Sequence, residues 1–107
     1  MLTVNLDRPF LRGNKVFENL KDETQAKYLA NLLEANFPKF PAPKSYDWSV
    51  ELAETGTISI DLTDIKTMKD ALNSLQEKGL WNIVIANLVR SFEESEEDAK
   101  PKKEKAN

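Results

Sequence analysis

Past Phe92 the chain carries no hydrophobic residue larger than alanine. Any core must therefore come from residues 1–92. The remainder, residues 93–107, is expected to be a disordered charged tail, because it cannot bury enough apolar surface to offset the entropy of ordering. A chain of 107 residues has room for one modest core and no second one. One domain over residues 1–92 follows, with no deep cleft between lobes.

Within that domain the apolar pattern switches period. Leu2, Val4 and Leu6 alternate with Thr3, Asn5 and Asp7, as in a half-buried strand. Pro9 cannot donate to a ladder and closes it. Arg12-Gly13-Asn14 is a turn signal, and Lys15-Val16-Phe17 reads as a return strand, so residues 2–18 are expected to form a β-hairpin. Asp22 and Gln25 have capping-box spacing. Ala26, Leu29, Ala30, Leu33 and Phe37 then recur at helical spacing, which predicts a helix over about 23–36, stopped by Pro38, Pro41 and Pro43.

Residues 45–55 fit two patterns. Tyr46, Trp48, Val50 and Leu52 alternate, yet Ser45 can cap and Gly56 sits where a helix-ending glycine belongs, which tilts the reading to a short helix. Ile58 to Leu62 alternate again and are the expected partner of Leu2–Leu6. Thr63 is a good N-cap with Asp64 favourable in the first turn. Ile65, Met68, Leu72 and Leu75 form the next stripe, ended by Gly79. Trp81, Val84, Ile85, Leu88, Val89 and Phe92 form the last and widest one, with Trp81 expected in the core. The fold class is α+β: a small antiparallel sheet, made of the N-terminal hairpin and a strand near 58–62, packed against three to four helices.

The chain contains neither histidine nor cysteine. That removes disulfides, thiolate nucleophiles, zinc–thiolate sites, the usual catalytic triads and most transition-metal sites. No catalytic residue, metal site or cofactor is expected. No apolar run approaches the ~20 residues of a membrane span, and Met1–Asn5 lacks the basic start and apolar stretch of a signal peptide. A cytoplasmic protein without membrane contact is expected.

Net charge is −3, and six of 18 acids and four of 15 bases lie in residues 93–107, which leaves −1 for residues 1–92. A nearly neutral domain argues against nucleic acid as the partner.

Few residues offer chemistry. Asp61 and Asp64 could form a cation or acid–base pair, but capping and the helix dipole explain both. Gly13, Gly56 and Gly79 are scattered and make no phosphate-binding motif. Arg8, Arg12, Lys15 and Lys21 cluster around the hairpin and are the candidate nucleic-acid contacts, with Phe10, Phe17 or Tyr28 available to stack. Phe37, Phe40, Tyr46 and Trp48 flank the proline-rich connection. They either close the core or form an exposed protein-binding patch. Arg90, among Leu88, Val89 and Phe92, can snorkel or pair with a carboxylate.

Three stretches, Val4-Asn5-Leu6-Asp7-Arg8-Pro9, Ile58 to Ile65, and Leu80 to Glu94, together resemble a set of small phage-encoded accessory proteins. Those open with a V-x-L-x-x-P strand and turn, continue through a central helix and a strand running into a helix, and end in an Ile/Val/Leu-rich helix closed by Glu. The resemblance implies a phage or prophage accessory protein made in the host cytoplasm. The set has no settled activity, so it transfers no catalytic residues. Some phage tail-assembly chaperones open with a similar segment.

The expected function is non-catalytic binding of another protein, a host factor or a phage component. A virion or tail-assembly chaperone and a nucleic-acid-binding regulator are the alternatives. A homodimer is one way to protect the edges of so small a sheet.

Overall fold

The computed structural model describes residues 1–36 and 40–99. Strand β1 (Leu2–Asn5) pairs antiparallel with β4 (Thr57–Ile60), Leu2 opposite Ile60 and Val4 opposite Ile58. Strands β2 (Leu11–Arg12) and β3 (Lys15–Val16) form a separate ribbon around Gly13. The helices are α1 (Gln25–Glu34), α2 (Ala42–Thr55), α3 (Leu62–Ser74) and α4 (Asn82–Ala99), with short 3-10 turns at Glu18–Leu20 and Leu75–Lys78. This is the expected α+β class, although the strands make two small pieces rather than one sheet.

The reason lies just after β1. The Leu6 carbonyl accepts from the Ala26 amide at 2.8 Å, and the Arg8 carbonyl accepts from the Gln25 amide at 2.9 Å. Lys27 donates its amide to the Thr24 hydroxyl at 3.2 Å. The first amides of a helix have no partner within it, and here they consume the carbonyls a hairpin would need. Residues 15–17 pair instead with 10–12 in the tight ribbon, and residues 2–5 are left to pair with β4 alone. Thr24, not Asp22, caps the helix, and Gln25 turns inward instead of closing a capping box. At the other end α1 stops at Glu34, and Asn36 takes a left-handed φ of 69°, a conformation asparagine tolerates at a helix end.

Residues 45–55 are helical. Pro43 falls in the first turn of α2, where a missing amide costs little, and Gly56 ends the helix at φ 76°. A Cβ at Gly56 would also lie 2.5 Å from the Asp7 Cβ, so both conformation and space demand glycine there. Helix α3 begins one residue before the expected cap: Asp61 takes the N-cap position and Thr63 lies inside the helix.

The core is one cluster. Val4, Ile58 and Ile60 supply the inner face of the sheet. Leu29 and Leu33 come from α1, Leu52 from α2, Ile65, Met68 and Leu72 from α3, and Leu88 and Phe92 from α4. Two expectations change at its margin. Trp81 is 53% exposed and packs edge-on against Phe17, ring centroids 5.9 Å apart. Helix α4 does not stop at Phe92 but runs to Ala99. Glu94 pairs with Arg8 and Glu96 with Lys69, so ion pairs tie down acids for which no apolar signal existed. The tail expected over residues 93–107 is thus helical as far as Ala99, and its remainder, residues 100–107, lies outside the described residues. Among the described residues no helix is long and apolar enough to cross a membrane.

Candidate functional site

A cleft of about 370 Å³ lies between the β2–β3 ribbon, the segment leading into it, and α4. Arg8, Arg12 and Arg90 line it from these three places. Its construction starts with Asn87. The Asn87 side chain accepts from the Leu11 amide at 3.0 Å and donates to the Leu11 carbonyl at 3.0 Å. One side-chain amide thus stands in for a neighbouring strand and fixes the ribbon to α4. Asn87 also donates to the Ile83 carbonyl one turn back, which orients it.

The floor is polar and buried. Ser91 donates its hydroxyl to Gln25 Oε1 at 2.6 Å, and Gln25 Nε2 donates to the Pro9 carbonyl at 3.0 Å. Gln25 and Ser91 are buried, and these bonds satisfy groups that would otherwise be costly there. Leu11, Ile83 and Ala86 make apolar walls.

The charges sit on this rigid base. Arg8 Nη2 lies 2.9 Å from Glu94 Oε1. The Arg12 guanidinium stands 5.0 Å from the centre of the Phe17 ring, a cation–π contact that leaves its donor edges free. No ion pair or hydrogen bond engages the Arg90 side chain among the described residues, and Arg90 is exposed. Three guanidiniums against one carboxylate leave the cleft lining with an excess of positive charge, and each guanidinium offers a planar fork of the kind that matches carboxylate or phosphate.

The structure separates the residues expected to act together. Of the basic set, Arg8 and Arg12 enter the cleft. Lys15 faces Arg12 across the ribbon and lines an adjoining hollow with Val16 and Phe17. Lys21 lies away from both, 4.0 Å from Glu18.

The aromatic set is not a patch. Phe37 lies outside the described residues. Phe40 and Trp48 are buried against each other, ring centroids 4.9 Å apart, and Trp48 Nε1 donates to the Ser59 carbonyl at 3.1 Å. They are core, because α2 lies along β4 and needs large rings to close the gap. Tyr46 alone of the three described is exposed.

Asn87, Gln25 and Ser91 were not foreseen. The available signal was the polar pair Asn87 and Ser91, one helical turn apart inside an apolar stripe. Asp64 forms an ion pair with Lys44 at 3.0 Å, and among the described residues no group of three or more acidic side chains is placed to hold a metal ion.

Compared with known proteins, the chain matches no family model, no curated protein and no solved structure.

Proposed function

We propose that this chain is a non-catalytic, phage-type accessory protein that works in the host cytoplasm by binding another protein, a host factor or a phage component. One observation carries the reading: exposed apolar side chains lie on and beside the ribbon that walls the arginine cleft. Leu11, 39% exposed, lines the cleft, its partner across the ribbon, Val16, 43% exposed, lines the adjoining hollow, and Trp81, 53% exposed, packs edge-on against Phe17, the ring over which the Arg12 guanidinium stands. Aromatic and arginine side chains together are the composition of a binding hot spot. The absence of imidazole and thiol groups from the sequence supports binding rather than turnover.

The test is affinity capture from host cells carrying the phage genome, read by mass spectrometry, with the native chain beside Leu11→Ser/Trp81→Ser. A protein captured by the native chain and lost with the variant is expected. Equal capture by both overturns the reading, as does turnover of a substrate that a single Asp or Glu substitution abolishes.

The convergence of Arg8, Arg12 and Arg90 also favours a second reading, a nucleic-acid-binding regulator. Binding to an oligonucleotide would then weaken steeply with salt and fall when Arg8, Arg12 and Lys15 become alanine.

A further inference from the structure

We infer that the arginine cleft takes an acidic segment of the partner protein, with side-chain carboxylates held by Arg12 and Arg90. The inference rests on the protein-binding reading above and names the chemistry of the partner.

The cleft already holds one carboxylate of its own. Glu94 reaches in from α4 and sits 2.9 Å from Arg8, which shows both the group that fits and the geometry that receives it. That pair leaves Arg12 and Arg90, two positive charges in excess within a chain of net charge −3. Arg12 is held in place by the Phe17 ring at 5.0 Å. The floor of Gln25 and Ser91 is locked by its own hydrogen bonds. A ligand therefore meets charges mounted on a base that needs no rearrangement, which lowers the entropic cost of binding.

A peptide suits this site better than a nucleic acid. The walls of Leu11, Ile83 and Ala86 match the apolar stems of acidic side chains and their neighbours. The volume of about 370 Å³ accommodates a few side chains, not a run of nucleotides.

The experiment titrates the isotopically labelled full chain with a hexaglutamate peptide, a hexaglutamine peptide and a short oligothymidylate, followed by amide chemical shifts. Hexaglutamate is expected to shift the amides of Leu11 to Gly13 and Asn87 to Ser91, and hexaglutamine is not. Arg12→Gln and Arg90→Gln should each weaken hexaglutamate binding by about tenfold, the worth of a charge-assisted hydrogen bond. Arg90→Lys, which keeps the charge but not the fork, should fall between. Glu94→Gln should tighten binding by roughly threefold, a modest gain from releasing Arg8 from its internal carboxylate. Equal shifts with hexaglutamine, shifts elsewhere on the chain, or tighter binding of oligothymidylate overturn the inference.

Capture of the natural partner separates the two claims. If Arg12→Gln/Arg90→Gln retains the partner while Leu11→Ser/Trp81→Ser loses it, protein docking stands and the acidic segment fails. If neither variant loses it, both fail.

Discussion

Helices α2 and α4 close strand backbones by the same device and with opposite results. On the α2 side, Trp48 donates to the Ser59 carbonyl, and Glu51 accepts from the Ser59 amide at 3.1 Å and hydroxyl at 3.0 Å. On the α4 side, Asn87 accepts from and donates to Leu11. In both places helix side chains do the work of a missing strand and satisfy backbone groups that must find partners. The difference is size. Trp48 brings an indole and Phe40 packs against it, so the space between helix and strand is filled. Asn87 is short, and its neighbours Ala86 and Ser91 are small, so a cleft remains. A closed edge becomes core or site according to the bulk of the residue that closes it.

The largest expected effect tests the filled side. Trp48→Ala should cost about 3 to 5 kcal/mol by denaturant unfolding, with partner capture reduced only in proportion to unfolding. Little loss of stability together with loss of capture would mean that this side, too, is a surface. On the open side, Asn87→Ala should cost only about 1 kcal/mol, because Leu11 is partly exposed and water can replace the lost bonds. Hydrogen exchange at the Leu11 amide should nonetheless rise sharply. A cost as large as that of Trp48→Ala would show that the ribbon is integral to the core.

Smaller still is Ser45→Ala. The Ser45 hydroxyl is buried and has no hydrogen-bond partner among the described residues, so its removal should raise stability by up to about 1 kcal/mol. A lower melting temperature would reveal a bond that this geometry does not show.

The smallest effect concerns Tyr28, which packs edge-on against Phe10 with ring centroids 5.3 Å apart. Burial, and then the nearby Glu23 carboxylate, raise its pKa above the ordinary 10.0. The neutral phenol is favoured in the fold. Its contribution is therefore intact below the unfolded value and is lost as pH rises through the folded one. Ultraviolet titration should show one tyrosine ionising late, and Tyr28→Phe should flatten the alkaline loss of stability.

Much of the fold was legible in the residues. The stripes Ala26–Leu33, Ile65–Leu72 and Val84–Phe92 marked α1, α3 and α4, and Ile58–Ile60 marked the partner of β1. These elements announce themselves because apolar periodicity is a local property. What stayed hidden depends on long-range pairing. The expected turn at Arg12–Asn14 and the return strand are present, but the hairpin is confined to residues 10–17, and the bonds from Ala26 to Leu6 and from Gln25 to Arg8 carry the segment before it to α1, where neither partner carries a sign of the other. The extension of α4 depends on Arg8 and Lys69, remote in sequence from Glu94 and Glu96. Likewise the cleft could be read only in part. Arg8 and Arg12 stand close in the chain, but Arg90 joins them only because Asn87 brings the ribbon to α4.

The use of the Leu6 and Arg8 carbonyls by α1 has a mechanical consequence. The opening segment is a latch on a helix that starts far downstream, so β1 cannot be lent to another molecule, as in strand exchange, without fraying the first turn of α1. Any such exchange meets resistance from both ends of the latch, because the α1 terminus adds its hold on Leu6 and Arg8 to the ladder that β1 makes with β4.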